Sequence, residues 1–273
     1  MQRNPIARRA LLATAGFSWV GGARAVEPIL IGGTGTATGL MRHLAAAHAA
    51  RTGDALRIVP SLGSTGGLRA LAAGRLDIAV TLREPGPEHA ALRARMFGRT
   101  PIVLATHRAT PPVMLTAAQA GRLLAGEDRA WPDGAPVRLV LRPPAEREWW
   151  VLRDGPPELA RAADGGARRS GALVANTAQD NAHALGAIEG SLGMISLGQI
   201  FSEGLDLRVV GLDGLVPSLG SLRAGTWPYG VVVHIVAQAA PRPDARAFLG
   251  FLASRDAAAI AEGFGYDPAV QAA

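Results

Sequence analysis

The chain contains no cysteine and no lysine. Without cysteine there is no disulfide framework, no thiolate metal site and no attachment point for a lipid at a processed N-terminus. Without lysine there is no Schiff-base amine, no P-loop lysine and no lysine general base. All 28 strongly basic side chains are therefore arginine, alongside 34 glycines and abundant alanine, a composition typical of GC-rich coding. Charged residues make up only 18% of the chain against 48% hydrophobic, which describes a folded globular protein and not a disordered one. Long apolar runs are also lacking: no segment reaches the roughly 18 uninterrupted apolar residues of a membrane helix. A chain of 273 residues can still bury a substantial core, as one large domain or two lobes.

The net charge of +6 is unevenly placed. Arg3, Arg8, Arg9 and Arg24 fall in the first 25 residues with no acid, so the remainder carries +2. That near-neutral, dispersed charge argues against nucleic-acid binding. Residues 1–25 read as a signal peptide: Arg8-Arg9, an apolar stretch from Ala10 to Val20, then a small-x-small site at Ala23-Arg24-Ala25. Export by the Sec or the twin-arginine route fits this pattern. The expected product is a periplasmic monomer with no stable membrane insertion.

Beyond the signal, apolar runs and helical patterns alternate. Strands are expected at Ile29–Ile31, Leu56–Val59, Leu76–Val80 and Ile102–Ala105, and helices at Leu40–Arg51 and Gly67–Ala73. A capping box at Thr116–Gln119 opens a later helix. Residues 153–171 suggest one helix with irregular flanks. Later helices are expected at Ala178–Ile188, Pro243–Ala253 and Asp256–Glu262, and a β-branched strand at Gly230–Val236. The alternation predicts an α/β fold with a largely parallel, wound sheet.

Two glycine-rich turns stand out: Gly32-Gly33-Thr34-Gly35-Thr36 after the first strand, and Gly63-Ser64-Thr65-Gly66-Gly67 after the second. Each directs backbone N–H groups and a helix N-terminus at one spot, an arrangement suited to an anion. A dinucleotide is a poor match, because the third glycine is out of place and no acid ends the following strand. Purely structural turns and simple helix capping by Ser64 or Thr65 are the competing readings. His43 and His48 are five residues apart on one helix, a poor spacing for chelation, and His183 and His234 are isolated. No Ser/His/Asp set or carboxylate pair can be assembled from spacing, so neither a catalytic group nor a metal or cofactor is expected.

The turn Gly63-Ser64-Thr65-Gly66-Gly67 followed by Asp77-Ile78-Ala79-Val80-Thr81, together with Gly33-Thr34-Gly35-Thr36 and the terminal Phe248–Ser254, resembles the phosphate-binding branch of the periplasmic substrate-binding proteins of ABC transporters. The resemblance covers most of the chain after the signal. It implies a bilobal periplasmic binding protein fold, two wound α/β lobes joined by two crossovers. The first lobe would take residues 26–108 and 226–273, the second 109–225. A small oxyanion, phosphate or a relative, would lie between them, and the closed form would dock on an ABC transporter permease.

The binding residues the resemblance implies are Thr34, Gly35 and Thr36, then Ser64, Thr65 and Gly66, with Arg83 beside them and Arg142 from the second lobe. Two departures stand against it. Leu82 occupies a position where phosphate binders carry an aspartate, and Arg142 is followed by Pro143-Pro144-Ala145-Glu146-Arg147-Glu148 instead of a hydroxyl-rich turn. A carboxylate facing an anion is repulsive. Either Glu146 and Glu148 face away, or the ligand is not a simple small oxyanion. Arg142 could equally pair with one of those glutamates, and Arg83 with Glu84. A signalling or accessory protein that has diverged in its ligand, or an enzyme acting on a phosphorylated compound, are the alternative functions.

Overall fold

The computed structural model describes residues 27–165 and 171–269. The expected signal peptide lies outside them. The strands are β1 (Ile29–Gly33), β2 (Leu56–Ile58), β3 (Ile78–Thr81), β4 (Leu92–His107), β5 (Met114–Leu115), β6 (Arg138–Leu141), β7 (Leu173–Val174), β8 (Ser191–Ser196), β9 (Leu207–Leu212), β10 (Gly230–Gln238) and β11 (Asp267–Pro268). The helices are α1 (Thr38–Thr52), α2 (Gly63–Ala72), α3 (Ala117–Ala125), α4 (Arg147–Arg153), α5 (Pro157–Gly165), α6 (Ala178–Ala187), α7 (Leu197–Ser202), α8 (Leu219–Arg223), α9 (Pro243–Leu252) and α10 (Arg255–Gly263).

Local chemistry sets many of these boundaries. The α1 helix stops at Gly53, whose φ of +77° needs no Cβ to be accommodated, and whose N–H caps the Ala49 carbonyl. The Thr116–Gln119 capping box opens α3 as expected, and a second, Thr177–Asp180, opens α6. The inner face of α1 carries Leu40 and Leu44, both fully buried, each worth about 1.5–3 kcal/mol over exposure.

The strands run in the order β2-β1-β3-β10-β4-β8-β6-β7. The β1 strand lies parallel to β2 and β3. The sheet is not largely parallel, however. The β10 strand is antiparallel to both β3 and β4, and β4 is antiparallel to β8 and β9. The physical reason is the crossover. The chain leaves the β1–β3 layer along β4 and returns to it along β10, so the returning strand runs against its neighbours.

Two other expectations shift. The strand predicted at Ile102–Ala105 is the distal third of β4, which spans 16 residues. Its first part alternates exposed Arg93 with buried Leu92 and Phe97, so a search for apolar runs misses it. The one helix expected within 153–171 is α5, whereas α4, which ends at Arg153 just ahead of it, has no counterpart in the sequence reading; residues 166–170 fall outside the described residues. Finally, the helix expected from Gly67 begins at Gly63, so the second glycine-rich turn is the first turn of α2 itself.

Candidate functional site

The first glycine-rich turn begins where β1 ends. Gly33 has a φ of +131°, and a Cβ there would lie 2.9 Å from the Val80 nitrogen, so only glycine fits. The Thr34 N–H donates to the Val80 carbonyl at 2.8 Å, tying the turn to β3. The Thr34 hydroxyl accepts from the Thr36 N–H at 3.4 Å and caps a one-turn helix, Gly35–Ala37, that runs into α1. Thr34 and Thr36 are both buried.

The α2 start packs directly on this turn, since a Cβ on Gly67 would lie 2.7 Å from the Gly33 Cα. Ser64 accepts the Leu82 N–H through its hydroxyl at 3.0 Å, and Arg83 donates to the exposed Thr65 hydroxyl at 3.3 Å. The structure therefore brings Thr34, Gly35 and Thr36 beside Ser64, Thr65 and Gly66, with Arg83 on the rim, at the carboxyl ends of β1 and β3. Arg83 turns to Thr65, whereas Glu84 lies 3.6 Å from His234.

Arg142 stands immediately after β6 and is only 5% exposed. It donates to the Ala175 carbonyl at 2.7 Å and lies 3.2 Å from the Glu146 carboxylate. Among the described residues it makes no hydrogen bond or ion pair with the first-lobe turns, and its Nε has no partner. Glu148 is buried close by, with one carboxyl oxygen lacking a partner. Burial pushes the Glu148 pKa up, against the opposing pull of Arg142. The salt bridge weighed for Arg142 in the sequence is thus the arrangement found.

The α6 helix touches the first turn. The Gln179 side chain, in the first turn of α6, donates to the Gly35 carbonyl at 2.9 Å, and a Cβ on Gly35 would lie 2.8 Å from Ala178. Glu203 accepts from Gln179 at 3.1 Å and from Gln199 at 3.2 Å. His43 donates to the Ser202 carbonyl at 3.0 Å, and the Tyr266 hydroxyl donates to the Thr36 carbonyl at 2.7 Å. Burial raises the Tyr266 pKa, keeping that hydroxyl a donor. Sequence reasoning missed Gln179, Gln199, Glu203 and Tyr266 in these roles. The α6 capping box was a readable signal for Gln179, whereas nothing local marks the others.

The cleft stays open on its other side. A pocket of about 550 Å³ separates Arg83 and Glu84 from Arg147, Trp150 and Asp154, with His234 of β10 and Tyr229 just before that strand on a third wall. Burial lowers the His234 pKa, and Arg147 lowers it further, while Glu84 opposes this. A larger cavity, about 700 Å³, lies between β4, α10 and β11 and is lined by none of the eight expected site residues. Among the described residues no cluster of histidine and acidic side chains could hold a metal ion, and no helix is long and apolar enough to cross a membrane.

A family model described as a PBP superfamily domain matches residues 20–256. No curated protein sequence matches the chain. Solved structures do. One, assigned as a phosphate ABC transporter substrate-binding protein from Clostridium perfringens with bound phosphate, superposes with a TM-score of 0.73 at 17% identity, over 89% of this chain and 99% of that one. An ABC-type phosphate transport receptor from Vibrio cholerae gives 0.59 at 19% identity, over 88% and 99%. A periplasmic molybdate-binding protein from Azotobacter vinelandii gives 0.62 at 18%, over 87% and 98%. The fold is the bilobal one these proteins share.

Proposed function

The chain belongs to the PBP superfamily domain family, and from that premise we propose that it is an exported solute-binding protein for ABC-type uptake. Its interlobe cleft takes a small oxyanion, phosphate being the first choice. The observation that carries this reading is the packing of the two glycine-rich turns on one another at the ends of β1 and β3, through Gly33 and Gly67. An oxyanion there accepts from turn N–H groups, from Thr34, Thr36, Ser64 and Thr65, and from Arg83. Arg142 completes the site if Glu146 releases it. Closure removes water and strengthens each charge-assisted bond. The lobe boundaries we assign are 26–108 with 226–273, and 109–225. Strand membership supports them, because β4 and β10 carry the chain between the lobes. Binding without catalysis, a periplasmic location and docking on a permease complete the proposal. The solved structures' phosphate and molybdate ligands support the ligand class.

A second reading rests on one specific observation. Glu146 already neutralises Arg142, as would suit an accessory protein that has left oxyanions behind. Thermal melting with phosphate, arsenate, sulfate, molybdate or tungstate separates the two. A ligand at 100 times its Kd stabilises the fold by about 2.7 kcal/mol, or about 5–11 °C for a chain of this size. Phosphate should give such a shift. If none of the five moves the melting temperature, the accessory reading replaces the oxyanion one.

A further inference from the structure

The cleft holds more space and more free positive charge than an inorganic oxyanion uses. Arg142 is compensated by Glu146, and Arg153 lies 3.1 Å from Asp164. Arg83 and Arg147 have no acidic partner among the described residues, and they face one pocket from opposite lobes. That pocket, about 550 Å³, lies within the range that holds organic ligands, and an inorganic ion would leave most of it to water. Its second-lobe wall carries Trp150, which is 49% exposed. Its exposed indole offers an apolar face on which an organic group can stack. The Arg147 and Arg153 guanidinium groups flank the ring, 5.3 and 5.7 Å from its centroid. Half-buried Val151 continues the apolar strip.

We propose that this pocket is an organic subsite, and that the ligand is a phosphate monoester. Its phosphoryl oxygens lie between Arg83 and Arg147, and its organic group packs on Trp150 and Val151. The assignment rests on the reading of the cleft as an oxyanion site. Arg83 joins the two, since it lines the pocket and also donates to Thr65 at the start of α2. Glu84 and Asp154 on the same walls disfavour a second anionic group, so the organic part is uncharged.

Calorimetric titration of the purified protein with inorganic phosphate and with phenyl phosphate tests this. Phenyl phosphate is expected to bind about tenfold more tightly, the worth of one good aromatic contact. In Trp150→Ala the ratio of the two affinities should fall close to one, and Arg147→Gln should weaken phenyl phosphate by about tenfold. Both side chains are exposed, and an unchanged melting temperature checks that the variants fold. If phosphate binds but phenyl phosphate binds no more tightly, or if the preference survives in Trp150→Ala, the subsite is wrong and the oxyanion site stands. If neither probe binds, the subsite falls together with phosphate as the ligand, and the melts with the other four anions decide the oxyanion reading.

Discussion

Replacing Arg142 with methionine should cost stability that two further substitutions restore. The guanidinium is 5% exposed and holds the Ala175 carbonyl at 2.7 Å and Glu146 at 3.2 Å. Methionine fills the space of the stem but leaves Glu146 unpaired, and Glu148 loses the only opposing charge that favours its ionised form. Removing one partner of a buried pair costs about 3–5 kcal/mol. The Glu146 side chain keeps 32% of its surface in water, so the lower end applies, about 3 kcal/mol. For a chain of this length that is a fall in melting temperature of about 6–12 °C. The triple variant Arg142→Met, Glu146→Gln, Glu148→Gln leaves no uncompensated charge and should return to within about 1 kcal/mol of the parent. Differential scanning calorimetry at pH 7.5 reads both. A single variant as stable as the parent, or a triple variant no better than the single, would refute the claim that these three side chains form one compensated unit.

Glu148 and Gly35 offer two further tests. Burial favours the protonated Glu148 in the native state, so ionisation costs stability once the pH exceeds the ordinary carboxylate range. Glu148→Gln should therefore raise the melting temperature at pH 8 and have little effect at pH 4; the reverse pattern would contradict the assignment. Gly35→Leu drives a side chain into Ala178 and Gln179 across the lobe interface. The steric cost of about 1–3 kcal/mol falls on the closed form and should weaken oxyanion binding by about 5- to 150-fold, with a larger radius of gyration by small-angle scattering. Wild-type affinity would show that the lobes do not close on Gly35.

Features governed by neighbours in sequence were legible. The Leu40–Arg51 pattern marked the body of α1, Thr116 and Gln119 the start of α3, and the alternation of strands and helices the fold class. The pairing of the two glycine-rich turns followed from where strand ends lie in a wound sheet. The full length of β4 was not legible, because its proximal half alternates arginines with apolar residues and resembles a surface segment. Nor was the direction of β10, which depends on a return from the other lobe more than 100 residues later. At the site, the same sequence permitted Arg142 to face an anion or a glutamate. Only the turn after β6, which sends Glu146 back to the guanidinium, distinguishes them.

The position of β10 also shapes how the protein reaches its folded state. This strand, Gly230–Gln238, sits between β3 and β4, pairing Val80 with Ile235 on one side and Thr100 with Val231 on the other. A chain made from its N-terminus therefore completes β3 and β4 long before the strand that separates them exists. Until then both carry unpaired edges, a template for association with other chains, and the long sequence separation slows their closure. The elements made between β4 and β10 can meanwhile settle on the distal part of β4, where β8 and β9 pair. A chain of this topology is therefore most exposed to association in the interval between the synthesis of β4 and that of β10.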